Sequence, residues 1–336
     1  MEPYKNIYSK NDRILIVGNL PLPIGGVSIH CSRLYALLKK SHYDVDFFNL
    51  AKFIKCKKIK KIILLFTLLY NKYTVVHIQT TDIKVNKIIF IIKRIKKYKI
   101  YLSVHNPRLF SQPPKKVLFF KKYIPNLDLL ILVSQDILDK YRNESVNLPQ
   151  NIIVKSAYLP PTIEEEQAIL STYPESLKRF LSEKNPLLIA NAWKIVFMDG
   201  IDLYGLDLCV DLVSRLKSDF PNIGLIFALA NSKDEKKYLN IKRAQIKTLN
   251  IDKQIYFLSN QKILWPLFKK VHIFIRPSYS DGSAVSINEA LDLGCKVIAS
   301  NCCKRPSDVI LFQNRDLDDL IKIVKKTLKG IMSGTK

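Results

Sequence analysis

Two acids, Asp281 and Glu289, stand eight residues apart in the segment RPSYSDGSAVSINEAL at residues 276–291. The apolar run HIFI precedes the segment and Gly294 follows it, so the spacing predicts a strand, a loop holding Asp281, and a helix with Glu289 about two turns inside. Gly282, Ser283, Ala284 and Val285 fall where that helix begins, and the first N–H groups of a helix have no partner within it. A carboxylate accepts hydrogen bonds from hydroxyls such as those of a sugar, and free N–H groups at a helix start hold phosphate oxygens. Two acids at this spacing also suit a helix-dipole partner plus a solvated side chain, so the pair alone leaves both readings open.

A second loop, GNLPLPIGGV at residues 18–27, ends in Gly25 and Gly26 ahead of a helical stretch. It is neither GxGxxG nor a P-loop, but paired glycines there permit close approach of a ligand to backbone N–H groups, or simply a tight turn. His77 in VVHIQ and His105 in SVHN close apolar runs, where a histidine is either a hydrogen-bonded core group or part of a site. There is no HExxH and no Cys/His set with ligand spacing, so no metal is expected. The six cysteines form no CxxC pair and read as reduced thiols of a cytosolic protein.

Twelve apolar runs with little polar alternation must position these loops, as strands buried on both faces of parallel sheets do. In the first half they are Arg13–Leu20, Tyr43–Leu50, Thr74–Thr80, Lys99–Asn106, Leu127–Ser134 and Asn151–Leu159. In the second half they are Asn185–Lys194, Asn222–Asn231, Gln254–Asn260, His272–Tyr279, Cys295–Asn301 and Asp308–Phe312. Stretches with helical spacing, such as Val27–Lys40 and Ile83–Lys97, lie between them, and the alternation predicts two doubly wound α/β domains. Pro160-Pro161 and Glu164–Glu166 break the pattern and read as a linker in the span 160–183. The expected domains are 1–165, 166–314 and a terminal helix in 315–336. A ligand is expected in the crevice between the domains, beyond the C-terminal strand ends.

The chain has 336 residues, 48% of them apolar, with 54 Lys+Arg against 29 Asp+Glu for a net charge of +25. Such composition excludes a disulfide-stapled miniprotein, a collagen or a coiled coil. No apolar stretch approaches the roughly 20 residues of a membrane span, and the polar first dozen residues argue against an export leader. The excess charge is lopsided: residues 1–160 carry 28 bases and 9 acids, and Lys52–Lys122 holds 19 bases with one acid, Asp82. Lysines interleaved with Leu, Ile, Phe and Tyr suit an anionic membrane surface better than a nucleic acid, for which no motif is present.

The segment PSYSDGSAVSINEALDLGCKVIAS resembles the C-terminal signature of the retaining GT-B glycosyltransferases of family 4, with Asp281 in place of that family's first Glu. PIGGVSIH resembles its Gly-Gly-Val start, VVHIQ and SVHN its strand-end histidines, LDLLILVS a further strand, and IYFLSN…LWPLFKKVHIFIRPS its base-binding region, in order over residues 13 to about 312. The resemblance implies a GT-B fold, two Rossmann-like doubly wound parallel-sheet domains facing across a cleft. It implies an enzyme that moves a sugar with retention from a nucleotide-diphosphate sugar without metal or other cofactor; the reduced cysteines and the basic first half add the expectation of a cytoplasmic place, peripheral at the inner face of the plasma membrane. The acceptor would be a glycan or a polyprenyl-diphosphate-linked glycan of bacterial surface polysaccharide synthesis.

Carried over by matching positions, Asp281 contacts donor-sugar hydroxyls, Glu289 the ribose, and amides near Gly282, Ser283, Ala284 and Val285 the sugar or phosphates. Gly25 and Gly26 approach the diphosphate and acceptor from the first domain, His105 lies near the transferred sugar, and Ser259 belongs to the base-binding region. The family's Arg and Lys beside the diphosphate are missing, and Tyr204 stands where the Lys is expected. Lys194, Arg276 and Arg305 are the candidates to replace them, and at least one is expected to turn away from solvent toward the phosphates. A catalytically silent relative and a sugar-nucleotide epimerase of the same architecture share these features. By the same analogy the helix in Asp316–Lys329 crosses back onto the first domain.

Overall fold

A computed structural model describes residues 7–21, 25–53, 56–106, 109–110, 112–232, 235–259, 263–281 and 284–334. The chain divides into two units, Met1–Leu159 and Pro160–Lys336.

In the first unit the strands are β1 (Arg13–Gly18), β2 (Asp44–Asn49), β3 (Val75–Ile78), β4 (Lys99–Val104), β5 (Leu129–Leu132) and β6 (Ile152–Val154). They pair in parallel in the order β2-β1-β3-β4-β5-β6. The helices are α1 (Gly26–Lys40), α2 (Lys57–Tyr70), α3 (Ile83–Lys93), α4 (Pro114–Tyr123) and α5 (Gln135–Asn143). Only the step from β1 to β2 runs backward along the sheet, so right-handed crossovers place α1 on one face and α2 to α5 on the other. Every residue of β3 and of β5 is buried, because helices cover both faces. Helix α3 ends at Lys93, four residues before the predicted end.

The second unit opens with α6 (Glu166–Ser171) and α7 (Glu175–Glu183). Its sheet runs β11 (Ile255–Leu258), β10 (Gly224–Asn231), β7 (Leu187–Lys194), β12 (Ile273–Arg276), β13 (Lys296–Ser300) and β14 (Ile310–Phe312), again all parallel. Around it lie α8 (Leu206–Leu216), α9 (Lys236–Thr248), α10 (Trp265–Phe268), α11 (Val285–Asp292) and α12 (Leu317–Met332). Each of the twelve predicted runs contains one strand of these two sheets. A two-stranded hairpin, β8 (Phe197–Met198) and β9 (Ile201–Asp202), turns through Asp199 and Gly200 at φ 55° and 76°. An Asp-Gly pair is a strong hairpin signal, and the strand reading passed over it because two-residue strands have no apolar periodicity.

Two expectations about organisation are corrected. The span 166–183 is not a linker: Ile169, Tyr173, Leu177 and Phe180 from α6, α7 and their junction enter the second unit's core. The terminal helix belongs to that unit too, since Leu320, Val324 and Leu328 of α12 are buried in its other core layer with the apolar face of α8. Its apolar stripe is thereby covered where it stands.

Candidate active site

In the second unit the polar residues gather beyond the C-terminal ends of β7, β12 and β13. Arg276 is the last residue of β12, and its side chain lies over the ring of Tyr204 with the guanidinium carbon 4.9 Å from the ring centroid. Its Nη1 donates to both the carbonyl and the side-chain oxygen of Asn191 in β7, each at 2.9 Å. Its Nε donates to Asp281 Oδ2 at 2.9 Å and Nη2 to Oδ1 at 3.3 Å, a two-pronged pair. Arg305, from the loop after β13, donates through Nη1 to the same Oδ2 at 3.1 Å. The side chains of Arg276, Arg305 and Asp281 are only 10, 2 and 11% exposed. Burial alone would push the Asp281 carboxyl up, but Arg276 first and Arg305 second hold it below the ordinary carboxylate range.

Two of the three cations offered as replacements for the missing Arg and Lys are therefore turned inward at the strand ends. Lys194 closes β7 three residues past Asn191, and strand alternation sends its side chain to the opposite face. Asn191 and Tyr204, which orient Arg276, had no assigned role in the sequence, because neither residue type signals chemistry without its neighbours. Cys302 Sγ accepts from Arg305 Nη2 at 3.4 Å, and the Cys303 thiol beside it, with Arg305, brings the Cys302 thiol down to about 6. No disulfide joins any of the six cysteines.

The loop between β9 and α8 lies under Arg276. Gly205 precedes α8 at φ 70°, and a Cβ there would stand 2.5 Å from the Pro277 carbonyl oxygen. The buried Asp202 carboxylate accepts from the N–H groups of Tyr204, Gly205 and Leu206 at 3.0–3.2 Å and from the Tyr238 hydroxyl at 2.9 Å. That fixes the start of α8 against the loop that follows β12, where Tyr279 N–H donates to the Leu203 carbonyl at 2.9 Å.

Helix α11 begins at Val285 with Ala284 as its N-cap, so Glu289 lies little more than one turn inside, not two. Glu289 is buried, and its charge, after burial, opposes ionisation of Tyr173. The Tyr173 hydroxyl donates to the Ile263 carbonyl, ahead of α10. Ser259 follows β11, half-buried. Gly282 and Ser283 lie outside the described residues, as does residue 24, just ahead of Gly25.

In the first unit, Gly25 caps α1 and Gly26 opens it, beyond the C-terminal end of β1. Gly25 N–H donates to Ser28 Oγ at 2.9 Å, and no described atom stands within 4 Å of where its Cβ would be. His105 follows β4 and is tied to His77 by Gln79. Gln79 Oε1 accepts from His105 Nε2 at 2.7 Å, and Gln79 Nε2 donates to His77 Nε2 at 3.0 Å. Ser103 Oγ donates to the same His77 nitrogen at 2.8 Å, and His77 Nδ1 meets the Tyr8 hydroxyl. The ring of His30, whose Nδ1 donates to the Ala157 carbonyl at 2.6 Å, packs edge-on to His105. His77 is thus a core group at a strand end, and His105 is held by it at one remove.

Burial keeps these histidines neutral, helped at His30 by the charge of Arg33 against the opposing bond to Ala157, and at His77 and His105 by the neighbouring histidines: His30 falls to about 4, His77 to about 3 and His105 well below its ordinary value. A folded-state value below the unfolded one means that stability is complete above about pH 6.5 and is lost as pH falls. Each histidine should contribute a slope of up to about 1.4 kcal/mol per pH unit between pH 6.5 and its folded value. Urea unfolding from pH 7.5 to 5 checks this, and an unfolding free energy flat over that range would contradict the buried neutral trio.

Among the described residues no group of three His, Cys, Asp or Glu is placed to hold a metal ion.

The two sheets, their parallel order and the intervening helices define a GT-B fold, the two-domain α/β architecture of glycosyltransferases. Residues 177–322, which include every second-unit site residue described above except Tyr173, match the family of glycosyl transferases group 1. No curated protein matches the chain by sequence. Among solved structures, Anabaena Alr3699/HepE in complex with UDP is 14% identical over 95% of this chain and 90% of its own, with a TM-score of 0.68. A glycosyltransferase from Rickettsia africae is 14% identical over 96% and 89%, with a TM-score of 0.69. Sucrose-phosphate synthase from Thermosynechococcus elongatus is 13% identical over 94% and 90%, with a TM-score of 0.66.

Proposed function

We propose that this chain transfers a sugar from a nucleoside-diphosphate sugar to an acceptor hydroxyl, with retention and without a metal. The observation that carries the reading is the Arg276–Asp281–Arg305 cluster at the strand ends of a group 1 glycosyltransferase domain. Two guanidiniums share one carboxylate in a largely buried setting, and the only other anion described beside them is the softer Cys302 sulfur on Arg305, so positive charge remains to meet a ligand. A departing nucleoside diphosphate develops negative charge that such a preoriented cluster stabilises more strongly than water does. Asp281 then has two tasks: it aims both arginines and contacts hydroxyls of the donor sugar. Amides of Ala284 and Val285 at the start of α11 complete the anion site, and Glu289 accepts from the ribose hydroxyls.

Ser259, just past β11, would meet the nucleotide base, whereas Lys194, on the other face of β7, holds no part of the donor. His105, neutral and held through Nε2 by Gln79, would present its other nitrogen to the transferred sugar, with Gly25 and Gly26 near the acceptor. The leaving diphosphate takes the acceptor proton as the new bond forms on the face it vacates, so no protein nucleophile is assigned. UDP is the first nucleotide to try, because HepE is described with UDP and with UDP-glucose. A glycan acceptor of bacterial surface polysaccharide, free or polyprenyl-diphosphate-linked and met on the cytoplasmic side, fits the likeness to the lipopolysaccharide outer core galactosyltransferase WaaB, 15% identical with a TM-score of 0.56.

The test is thermal unfolding of the full chain with UDP, GDP and ADP and their sugar conjugates. One nucleotide series should stabilise it, by about 2.7 kcal/mol at a hundredfold excess over the dissociation constant. Glu289→Ala should abolish most of the shift. If no nucleotide moves the transition, the donor site is wrong. If nucleotide binds but neither transfer nor donor hydrolysis is detected, the silent relative is the better reading.

A further inference from the structure

The one-sided charge of Lys52–Lys122, 19 bases to one acid, becomes a surface in the fold. Helices α2, α3 and α4 cover the same face of the first sheet, since the connections from β2 to β5 all advance in one direction. Helix α2 packs against α3. Helix α3 packs against α4, with the rings of Phe90 and Tyr123 centred 4.6 Å apart.

The outer side of this layer is not simply polar. On α2, Ile62, Phe66 and Tyr70 are 53, 49 and 80% exposed, at a spacing of about one turn, while Leu64 and Leu68 are fully buried. Ile91 on α3, Ile95 just after it and Leu118 on α4 are exposed by 56, 68 and 66%. Lys58, Lys84 and Lys87 are exposed on the same helices, as is Arg94 just past the end of α3. The single acid, Asp82, is engaged: it caps α3 through the N–H groups of Lys84 and Val85 and pairs with Lys60 at 3.1 Å. The next helix along, α5, carries Asp136 and Asp139, so the basic layer ends at α4.

Apolar teeth among lysines have a specific physical complement. Aliphatic and aromatic side chains gain by leaving water for the acyl boundary, while lysine stems run past them and leave their ammonium groups at the headgroup phosphates. A single-stranded nucleic acid would satisfy the charge but would find isoleucines where stacking rings belong. Helix α2, with 14 residues, is about 21 Å long, too short to span a bilayer but suited to lie along one. Among the described residues no helix is long and apolar enough to cross a membrane.

We infer that the outer face of α2, α3 and α4 docks on an anionic phospholipid bilayer, with the Ile62–Phe66–Tyr70 stripe sunk into its interface. The inference does not rest on the transferase reading, and its test uses no sugar nucleotide. The full chain is mixed with vesicles of phosphatidylcholine alone or with 30% phosphatidylglycerol, and partition is measured by flotation. Partition should need phosphatidylglycerol and weaken as salt is raised. The triple variant Lys58→Gln/Lys84→Gln/Arg94→Gln should lose about a hundredfold, at roughly fivefold per surface charge. Ile62→Ser/Phe66→Ser, at exposed positions with unfolding unchanged, should lose about tenfold or more. In Phe66→Trp the added emission should shift blue on vesicles and be quenched by brominated acyl chains.

Equal partition to both vesicle types would overturn the inference. So would a Ser/Ser variant that binds like the parent together with unquenched Trp emission, or equal salt-sensitive binding to RNA, either of which means that only charge is read. A dimer in solution that Ile62→Ser/Phe66→Ser dissociates would assign the face to a second copy instead. Nucleotide-dependent thermal shifts persisting through any of these failures would leave the transferase reading standing.

Discussion

Replacing Asp281 with Asn should lower the unfolding free energy by about 3–5 kcal/mol, the usual cost of removing one partner of a buried ion pair. Here the loss falls on two cations, since Arg276 and Arg305 share the carboxylate and are themselves almost wholly enclosed. The Asn amide keeps the shape but donates where a second guanidinium needs an acceptor. Chemical denaturation checks the value. Adding Arg276→Met to Asp281→Asn should recover part of the loss, because one of the stranded charges goes with it. The same carboxyl gives a pH signature in the parent protein. Its folded-state value lies below the ordinary one, so its contribution is present above about pH 4 and disappears as pH falls further. If the diphosphate rests on these arginines, nucleotide binding by Asp281→Asn should fall together with stability. A variant as stable as the parent would mean that the carboxylate is not the hub of the cluster.

Gly205→Ala should cost about 3 kcal/mol, although it adds a single methyl group. The backbone there has φ 70°, a region that L side chains resist, and the new Cβ would meet the Pro277 carbonyl at 2.5 Å. Because that carbonyl is backbone, neither side can yield without moving the loop that carries Ser278 to Asp281 or the start of α8. The substitution should therefore disturb the site and the fold together, with nucleotide-induced stabilisation reduced as well as the midpoint of unfolding. Gly25→Ala is the control: its backbone is extended and no described atom stands within 4 Å of where its Cβ would be, so little stability should be lost. Similar losses for the two glycines would contradict the contact with Pro277.

The sequence was legible wherever the physics is local. Strands buried on both faces must be uninterrupted apolar runs, and helices between them must carry one apolar stripe, so both sheets could be placed from residues 13–18 onward to residues 310–312. The loop at Asp281 was marked by Ser, Asp and Gly, which favour turns, but Ala284 carries no capping signal, and so the helix starts later than its sequence suggests. The hairpin at Asp199-Gly200 was equally local, but its strands are too short to be seen as a period.

Which charges share a carboxylate is not local. Arg276, Asp281 and Arg305 span 30 positions, and Asn191, which steadies Arg276, lies 85 residues before it. Lys194 looked as good a candidate as either arginine until strand alternation turned it to the other face. The apolar stripe of α12 could have covered either domain, and only the packing against α8 decided it. Composition along the chain determined the elements and the basic half. The pairing of strands, by bringing distant ends side by side, decided which side chains could satisfy one another's charge away from water.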